Sequence, residues 1–188
     1  MEHLLLLAIG LPLALLARPR PDWSGEHAAD FCAALLLIVY GGMWAVSSIW
    51  QHTESLLLLE ALSWYAALPL LILVSLARCA QPLFQLPAWD RVVWGRILLA
   101  LCVVFELTRR NGNMEVIPLI TLAIGTLAAI GAWLNKRNGL TTLAVIVWGT
   151  AVGYVASMRP EVSAWLPLLL LPVLVDRLAQ RQQSSVNP

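Results

Sequence analysis

Residues 50–65 read WQHTESLLLLEALSWY and join two long apolar stretches through a short polar corner, residues 50–54. Glu60 follows inside the second apolar stretch, one turn before an aromatic pair. A carboxylate inside a membrane helix is costly, so it usually faces protein or water and avoids lipid. The pattern therefore predicts two membrane helices joined by a corner, with an acidic group inside one of them.

The composition extends this prediction to the whole chain. Of the 188 residues, 60% are hydrophobic and 12% are charged, and the mean hydropathy is +0.77. A water-soluble chain of this size cannot hide so much apolar surface, because much of any globule stays exposed. Separate apolar stretches predict an all-α, polytopic membrane helix bundle that sits in a lipid bilayer. The net charge of +1 provides no field to attract nucleic acid, so no nucleic-acid partner is expected.

Seven apolar segments follow one another within a single domain, 1–188. The predicted spans are 4–17, 28–50, 55–77, 89–107, 116–134, 140–158 and 162–175. The first and last are short, since an untilted span needs about 20 residues. Residues 78–90 are predicted to form a loop, and the polar tail from residue 176 is predicted to fray.

Basic residues are distributed unequally over the predicted loops. With the N-terminus outside, nine fall on the cytoplasmic side and three on the outer side, which predicts an N-out, C-in orientation. The expected location is a bacterial cytoplasmic (inner) membrane, with the chain crossing it several times. The nine are Arg18, Arg20, Arg78, Arg91, Arg96, Lys136, Arg137, Arg177 and Arg181, and the three are Arg109, Arg110 and Arg159.

This orientation gathers a predicted binding site in the outer half of the bundle. Glu60 lies roughly 9 Å below the corner, at about 1.5 Å per residue, and Glu106 lies near the outer end of its segment. Arg109 and Arg110 follow Glu106 by three and four residues, within ion-pair reach on a helix surface. Together with His52, these residues predict an outward-facing polar cavity. Glu60 has no basic residue in its own segment, which makes it the better candidate for coupling to a proton or cation.

No sequence pattern assigns catalysis, a metal or a cofactor. The three cysteines and three histidines are scattered and lack metal-ligand spacing. The chain has no nucleophile elbow, zinc-protease motif, phosphate-binding loop or dinucleotide-binding glycine pattern. The only lysine, Lys136, lies in a predicted loop and cannot form a retinal Schiff base in the last helix. We therefore expect no catalytic residue, no metal site and no cofactor.

Two further features are assigned to stability and packing. Asp30 is expected in the first turn of the second helix, where a carboxylate complements the helix dipole. Gly149 and Gly153 are four residues apart, a spacing that lets another helix approach closely. They are predicted to lie at a helix–helix contact, and the same face is a candidate surface for a partner membrane protein.

Three classes of function remain open. The leading hypothesis is a transporter- or channel-like protein that binds a cation or proton with Glu60 and Glu106, although few polar residues lie at mid-depth. The second is a non-catalytic accessory or interaction subunit that acts through the face of Gly149 and Gly153. The third is a small lipid-processing membrane enzyme that uses the same two acids as general acid and base. A non-enzymatic role is favoured over the third class.

Overall fold

The computed structural model describes residues 2–21, 23–46, 53–85, 89–113, 116–136, 139–157 and 166–186. Within these ranges the chain is helical almost throughout and contains no strand. A π-helical turn, Ser63–Ala67, joins α3 to α4, so seven continuous helices match the number predicted. The helices are α1 (Glu2–Leu16), α2 (Gly25–Val46), α3 (Thr53–Leu62), α4 (Leu68–Phe84), α5 (Arg91–Arg110), α6 (Val116–Lys136), α7 (Gly139–Ser157) and α8 (Leu166–Val186).

Three helical stretches of the described chain are long and apolar enough to cross a membrane. They are Gly25–Val46, Glu54–Phe84 and Val116–Asn135, while Leu4–Leu16 and Gly139–Gly153 are apolar but shorter. Large apolar side chains also cover much of the outer surface, and soluble monomers rarely expose large contiguous patches of this kind. Length and surface together indicate a membrane protein.

The π turn has a local cause in the sequence. The N–H of Leu68 donates to the carbonyl of Ser63, five residues back, and the hydroxyl of Ser63 donates to the carbonyl of Leu59 at 2.8 Å. Pro69 follows directly, and its ring would clash with the carbonyl four residues earlier in a regular α-helix. One wide turn relieves that clash and lets the helix continue.

The buried core lies where α1, α2, α4 and α8 meet. Leu6 and Leu13 of α1, Leu37 of α2, Leu71 of α4 and Leu170 of α8 are each at most 1% exposed. Close packing of such side chains is the main stabilising contact inside the bundle. By contrast, α5 is peripheral, because Trp94 is its only buried side chain among those described.

Close helix approach depends on a different glycine from those predicted. A Cβ atom at Gly125 of α6 would overlap the ring of Trp148 on α7, so only glycine fits there. Among the described residues, a Cβ atom at Gly149 or Gly153 would meet nothing within 4 Å, and both glycines are exposed. Within the described part of the chain, the predicted contact with another helix is therefore wrong. Use of this face by a partner protein stays a prediction.

Two segments predicted to be loop or tail are helical. Helix α4 continues to Phe84 and ends at Gln85, whose φ of 51° is left-handed, whereas a loop was predicted from residue 78. Helix α8 continues to Val186, where a fraying tail was predicted from residue 176. Both predictions are wrong because several polar side chains of these extensions are hydrogen-bonded inside the bundle: Arg78 and Gln81 of α4, and Asp176, Arg177 and Gln180 of α8.

Candidate functional site

Glu106 forms the ion pairs predicted from its spacing. Its carboxylate accepts a hydrogen bond from Arg109 at 2.9 Å and another from Arg110 at 2.8 Å. The Glu106 side chain is 37% exposed and the two arginine side chains are 62% and 74% exposed, so the group lies on the surface of α5. The hydrogen bond to Glu106 raises the pKa of Arg109 above its ordinary value. Ion pairs this exposed contribute little to stability.

Glu60 is half-buried on α3 and lies one turn before the π turn. No hydrogen bond or ion pair joins it to another described residue. His52 lies outside the described residues. In the described part of the chain, Glu60, Glu106, Arg109 and Arg110 line none of the three principal cavities. The predicted outward cavity around Glu60 and Glu106 therefore stays a prediction.

A different polar site is assembled at one end of the bundle. It draws on the C-terminal end of α1, the N-terminal end of α2, and the C-terminal halves of α4 and α8. We name its five central residues the ion-pair cluster; they are Glu26, Asp30, Arg78, Asp176 and Arg177. Helices α1, α4 and α8 run towards this end of the bundle, and α2 runs away from it. The C-terminal ends of the first three therefore lie beside the N-terminal end of α2.

Arg177 is the most buried basic residue of the cluster. Its Nε and Nη2 atoms donate to the two oxygens of Asp30 at 2.9 and 3.1 Å, which is the two-pronged geometry that arginine forms best with a carboxylate. Its Nη1 donates to Asp176 at 2.9 Å, and Nη2 also donates to the carbonyl of Leu71 at 3.3 Å. Burial alone would lower the pKa of Arg177, but the charges of Asp30 and Asp176 outweigh it and the pKa is raised.

Arg78 links the same acids from α4. Its Nε donates to Glu26 at 2.8 Å and its Nη1 donates to the side-chain oxygen of Gln180 at 3.1 Å. Its Nη2 lies 3.0 Å from Asp30, close enough for an ion pair, but this buried atom makes no directed hydrogen bond to any described residue. Arginine has five N–H donors in total, so Arg78 retains unused donor capacity.

Two glutamines complete the network. Gln81 donates to Glu26 at 2.7 Å, and Gln180 donates to Asp176 at 2.6 Å while it accepts from Arg78. Buried charges are stable only when they are paired and hydrogen-bonded. Gln81 binds the oxygen of Glu26 that Arg78 leaves open, whereas Gln180 shares Oδ2 of Asp176 with Arg177. The other oxygen of Asp176, Oδ1, is buried and has no hydrogen-bond partner among the described residues. The network therefore ties α2, α4 and α8 together with fixed side chains.

A cavity of about 270 Å³ adjoins the cluster. Its polar wall consists of Arg20, Arg78, Arg177 and Arg181 with His27, Asp30 and Gln180, and its apolar wall is the end of α1, formed by Leu13, Leu16 and Ala17. Four guanidinium groups thus face a single carboxylate. A cleft lined by one sign of charge raises the local concentration of ions of the opposite sign.

The ionised groups around the cavity also have a positive formal net charge. The ion-pair cluster contains three carboxylates and two guanidinium groups, and Arg20 and Arg181 of the cavity wall add two more positive charges. With His27 neutral, these seven ionised groups have a formal net charge of +1. Arg20 is exposed and has no carboxylate partner among the described residues.

The sequence predicted other positions for three residues of the ion-pair cluster. Asp30 was expected in the first turn of its helix, but α2 begins at Gly25, so Glu26 occupies that turn and Asp30 is buried at 2% exposure. Arg78 and Arg177 were counted among cytoplasmic loop residues. One signal was available, because Asp176 and Gln180 are four residues apart and so lie on one face of a helix that continues past residue 175.

No family model matches the chain, and neither a curated protein nor a solved structure matches it.

Proposed function

We propose that this is a membrane protein that binds a ligand with a phosphate or carboxylate group in the arginine-lined cavity. The observation that carries the proposal is the lining itself, in which four guanidinium groups and one carboxylate surround about 270 Å³. Arginine is suited to such ligands because its planar fork matches the oxygens of phosphate and carboxylate.

The ion-pair cluster supports this role by fixing two of the arginines. Asp30, Asp176 and Glu26 hold Arg177 and Arg78 in place, so these guanidinium groups need little further ordering when a ligand arrives. Arg20 brings a charge that no described acid neutralises, and Arg78 retains an unused donor. The cavity therefore combines rigid donors with an exposed charge at its edge.

We further propose seven spans with the N-terminus outside and the C-terminus inside a bacterial cytoplasmic membrane. Arg78 and Arg177 are neutralised inside the bundle, and without them the basic residues still divide seven to three in favour of the same orientation. In this orientation the arginine-lined cavity lies at the cytoplasmic end.

Binding can be tested by thermal unfolding of the purified protein in detergent. The probes are phosphatidylglycerol in mixed micelles and its deacylated headgroup, glycerophosphoglycerol, with phosphatidylcholine and chloride of equal ionic strength as controls. At least one probe should raise the melting temperature, and Arg20→Gln should abolish the rise. Arg18→Gln is the matched control, because Arg18 is exposed in the same loop but does not line the cavity. No rise with either probe, or equal behaviour of the two variants, would refute the proposal.

A second candidate function is proton- or cation-coupled transport at Glu60. It is favoured by a half-buried carboxylate that has no partner among the described residues, one turn before a π turn, since π turns are frequent at functional sites. Glu106 contributes less to this hypothesis, or to a general acid–base pair, because Arg109 and Arg110 already engage its carboxylate.

The transport hypothesis is tested by proton or sodium flux into reconstituted vesicles. Glu60→Gln preserves size and should abolish flux, whereas Glu54→Gln, an exposed acid on the same helix, should leave it unchanged. Flux no greater than that of empty vesicles, or normal flux in Glu60→Gln, would remove this candidate.

A further inference from the structure

We infer that anion binding in the arginine-lined cavity is coupled to the uptake of a proton by His27, so that the anion binds more tightly at acidic pH. This inference rests on the proposed anion-binding function and adds its regulation; it requires nothing of the ligand except a negative charge. Three observations support it: the position of His27 in the cavity wall, the hydrogen bonding of its ring, and the charged groups around it.

His27 is the member of the wall whose charge can change near neutral pH. It lies in the first turn of α2 and lines the cavity of about 270 Å³. Histidine is the side chain that ordinarily gains or loses its charge between pH 5 and 8, whereas a guanidinium group keeps its charge throughout. His27 is the only histidine among the described residues that line the cavity. A proton on its ring therefore adds one positive charge to the wall.

The ring is held in a way that tolerates both of its charge states. The Oγ atom of Ser24 lies 2.7 Å from Nδ1 of His27. A hydroxyl can donate to a ring nitrogen that lacks a proton and can accept from one that carries it. Oγ also accepts from the backbone N–H of His27 at 3.3 Å, which fixes Ser24 at the start of α2. His27 is exposed and its Nε2 has no hydrogen-bond partner among the described residues, so protonation at either nitrogen breaks no described contact.

Charged groups of both signs surround His27. Asp30 and Glu26 lie on the same helix and favour a charged ring, whereas the guanidinium groups on the other elements oppose it. An anion in the cavity attracts a charged ring, so anion binding favours protonation and, by linkage, protonation favours anion binding to the same extent. The opposing groups are Arg20 in the loop after α1, Arg78 on α4, and Arg177 and Arg181 on α8.

The dimensions of the cavity set the size of the effect. A sphere of about 270 Å³ has a diameter of about 8 Å, so an anion inside the cavity lies within roughly that distance of the His27 side chain. At an effective dielectric constant of about 20, the attraction between two unit charges at this distance is equivalent to tenfold or more in affinity. Salt screens part of this attraction and the ring is only partly protonated at a given pH, so we expect a change of several-fold.

The test compares the affinity of the purified full-length protein for an anion at pH 5 and at pH 8, at constant ionic strength. The probes are glycerophosphoglycerol and phosphatidylglycerol in mixed micelles; both are phosphodiesters, whereas a phosphomonoester would itself titrate with a second pKa of about 6. Binding should be several-fold tighter at pH 5, and His27→Gln should bind at both pH values as wild type binds at pH 8. His3→Gln is the matched control and should retain the wild-type pH dependence, because His3 lies at the opposite end of α1 from the cavity. In weakly buffered solution near pH 6, wild type should take up protons when the probe binds, and His27→Gln should not.

The outcomes separate this inference from the proposed function. Affinity that differs by less than about twofold between the two pH values, or equal pH dependence in wild type and His27→Gln, overturns the inference and leaves anion binding intact. Loss of binding at both pH values in His27→Gln would show that the neutral ring itself holds the anion, and it also overturns the inference. Absence of binding by wild type at both pH values overturns both proposals. Should His27→Gln not fold, the proton uptake of wild type decides, and binding without uptake overturns the inference.

Discussion

Replacing Arg177 with methionine tests whether the ion-pair cluster holds the bundle together. Methionine retains the apolar stem of the side chain but removes all four hydrogen bonds that the guanidinium donates. Asp30 then keeps only Arg78 as an ion-pair partner, and Asp176 keeps only the amide of Gln180. The Arg177 and Asp30 side chains are 4% and 3% exposed, so their charges are largely withdrawn from bulk solvent.

Removal of one partner from a buried ion pair costs about 3–5 kcal/mol. The free energy of unfolding of a typical protein is about 5–15 kcal/mol, so this loss is a large fraction of the total. We expect Arg177→Met to lower the melting temperature sharply in detergent, as followed by the fluorescence of the nine tryptophans. Adding Asp176→Asn should recover part of the loss, because it removes a carboxylate charge that has lost its partner.

The matched control is Arg109→Met, which also deletes an arginine that pairs with a carboxylate. The Arg109 side chain is 62% exposed and its partner lies on the same helix, so the control should leave stability unchanged. If Arg177→Met melts at the same temperature as Arg109→Met, the cluster does not hold the helices together. Failure of Asp176→Asn to recover any stability would show that unpaired charge is not the cause of the loss.

Two further predictions concern packing and orientation. Gly125→Leu should lower the free energy of unfolding by about 3 kcal/mol or more and reduce folded yield, because any side chain there must displace the Trp148 ring. In Gly149→Leu the new side chain points into open space, so this variant should melt like wild type. Equal melting of the two variants would contradict the packing described. A reporter fused after Asn113 should lie outside the cell and one fused after Arg181 should lie in the cytoplasm, and a cytoplasmic signal after Asn113 would refute the proposed orientation.

The helical class and number could be predicted because both depend on local composition. Apolar stretches long enough to span a bilayer can be recognised from the local sequence alone. The pairing of Glu106 with Arg109 and Arg110 likewise depends only on helical spacing. The ends of the helices were less predictable. At Arg78 the sequence of α4 becomes polar, which predicts the end of the helix. The helix continues because Arg78 is paired with Glu26 of α2 and Gln180 of α8 inside the bundle.

The glycine assignments illustrate a second limit. A spacing of four places Gly149 and Gly153 on one face of α7, but spacing does not state whether that face meets another helix. In the structure it is exposed, and close approach occurs where Trp148 of α7 meets Gly125 of α6. In this contact the Trp148 ring occupies the space that a side chain at Gly125 would need. The sequence of either helix alone does not show that these two residues meet.

The candidate site escaped sequence reasoning for a related reason. Each cluster residue, taken alone, has an ordinary explanation: an acid near a helix start, or an arginine at a cytoplasmic boundary. Asp30 and Arg177 are 147 positions apart and meet only because α2 begins at the end of the bundle where α8 becomes polar. The positive-inside rule depends on charges that remain in the loops. An arginine that turns inward to meet an acid contributes little to orientation, but it places a fixed guanidinium in the wall of the cavity.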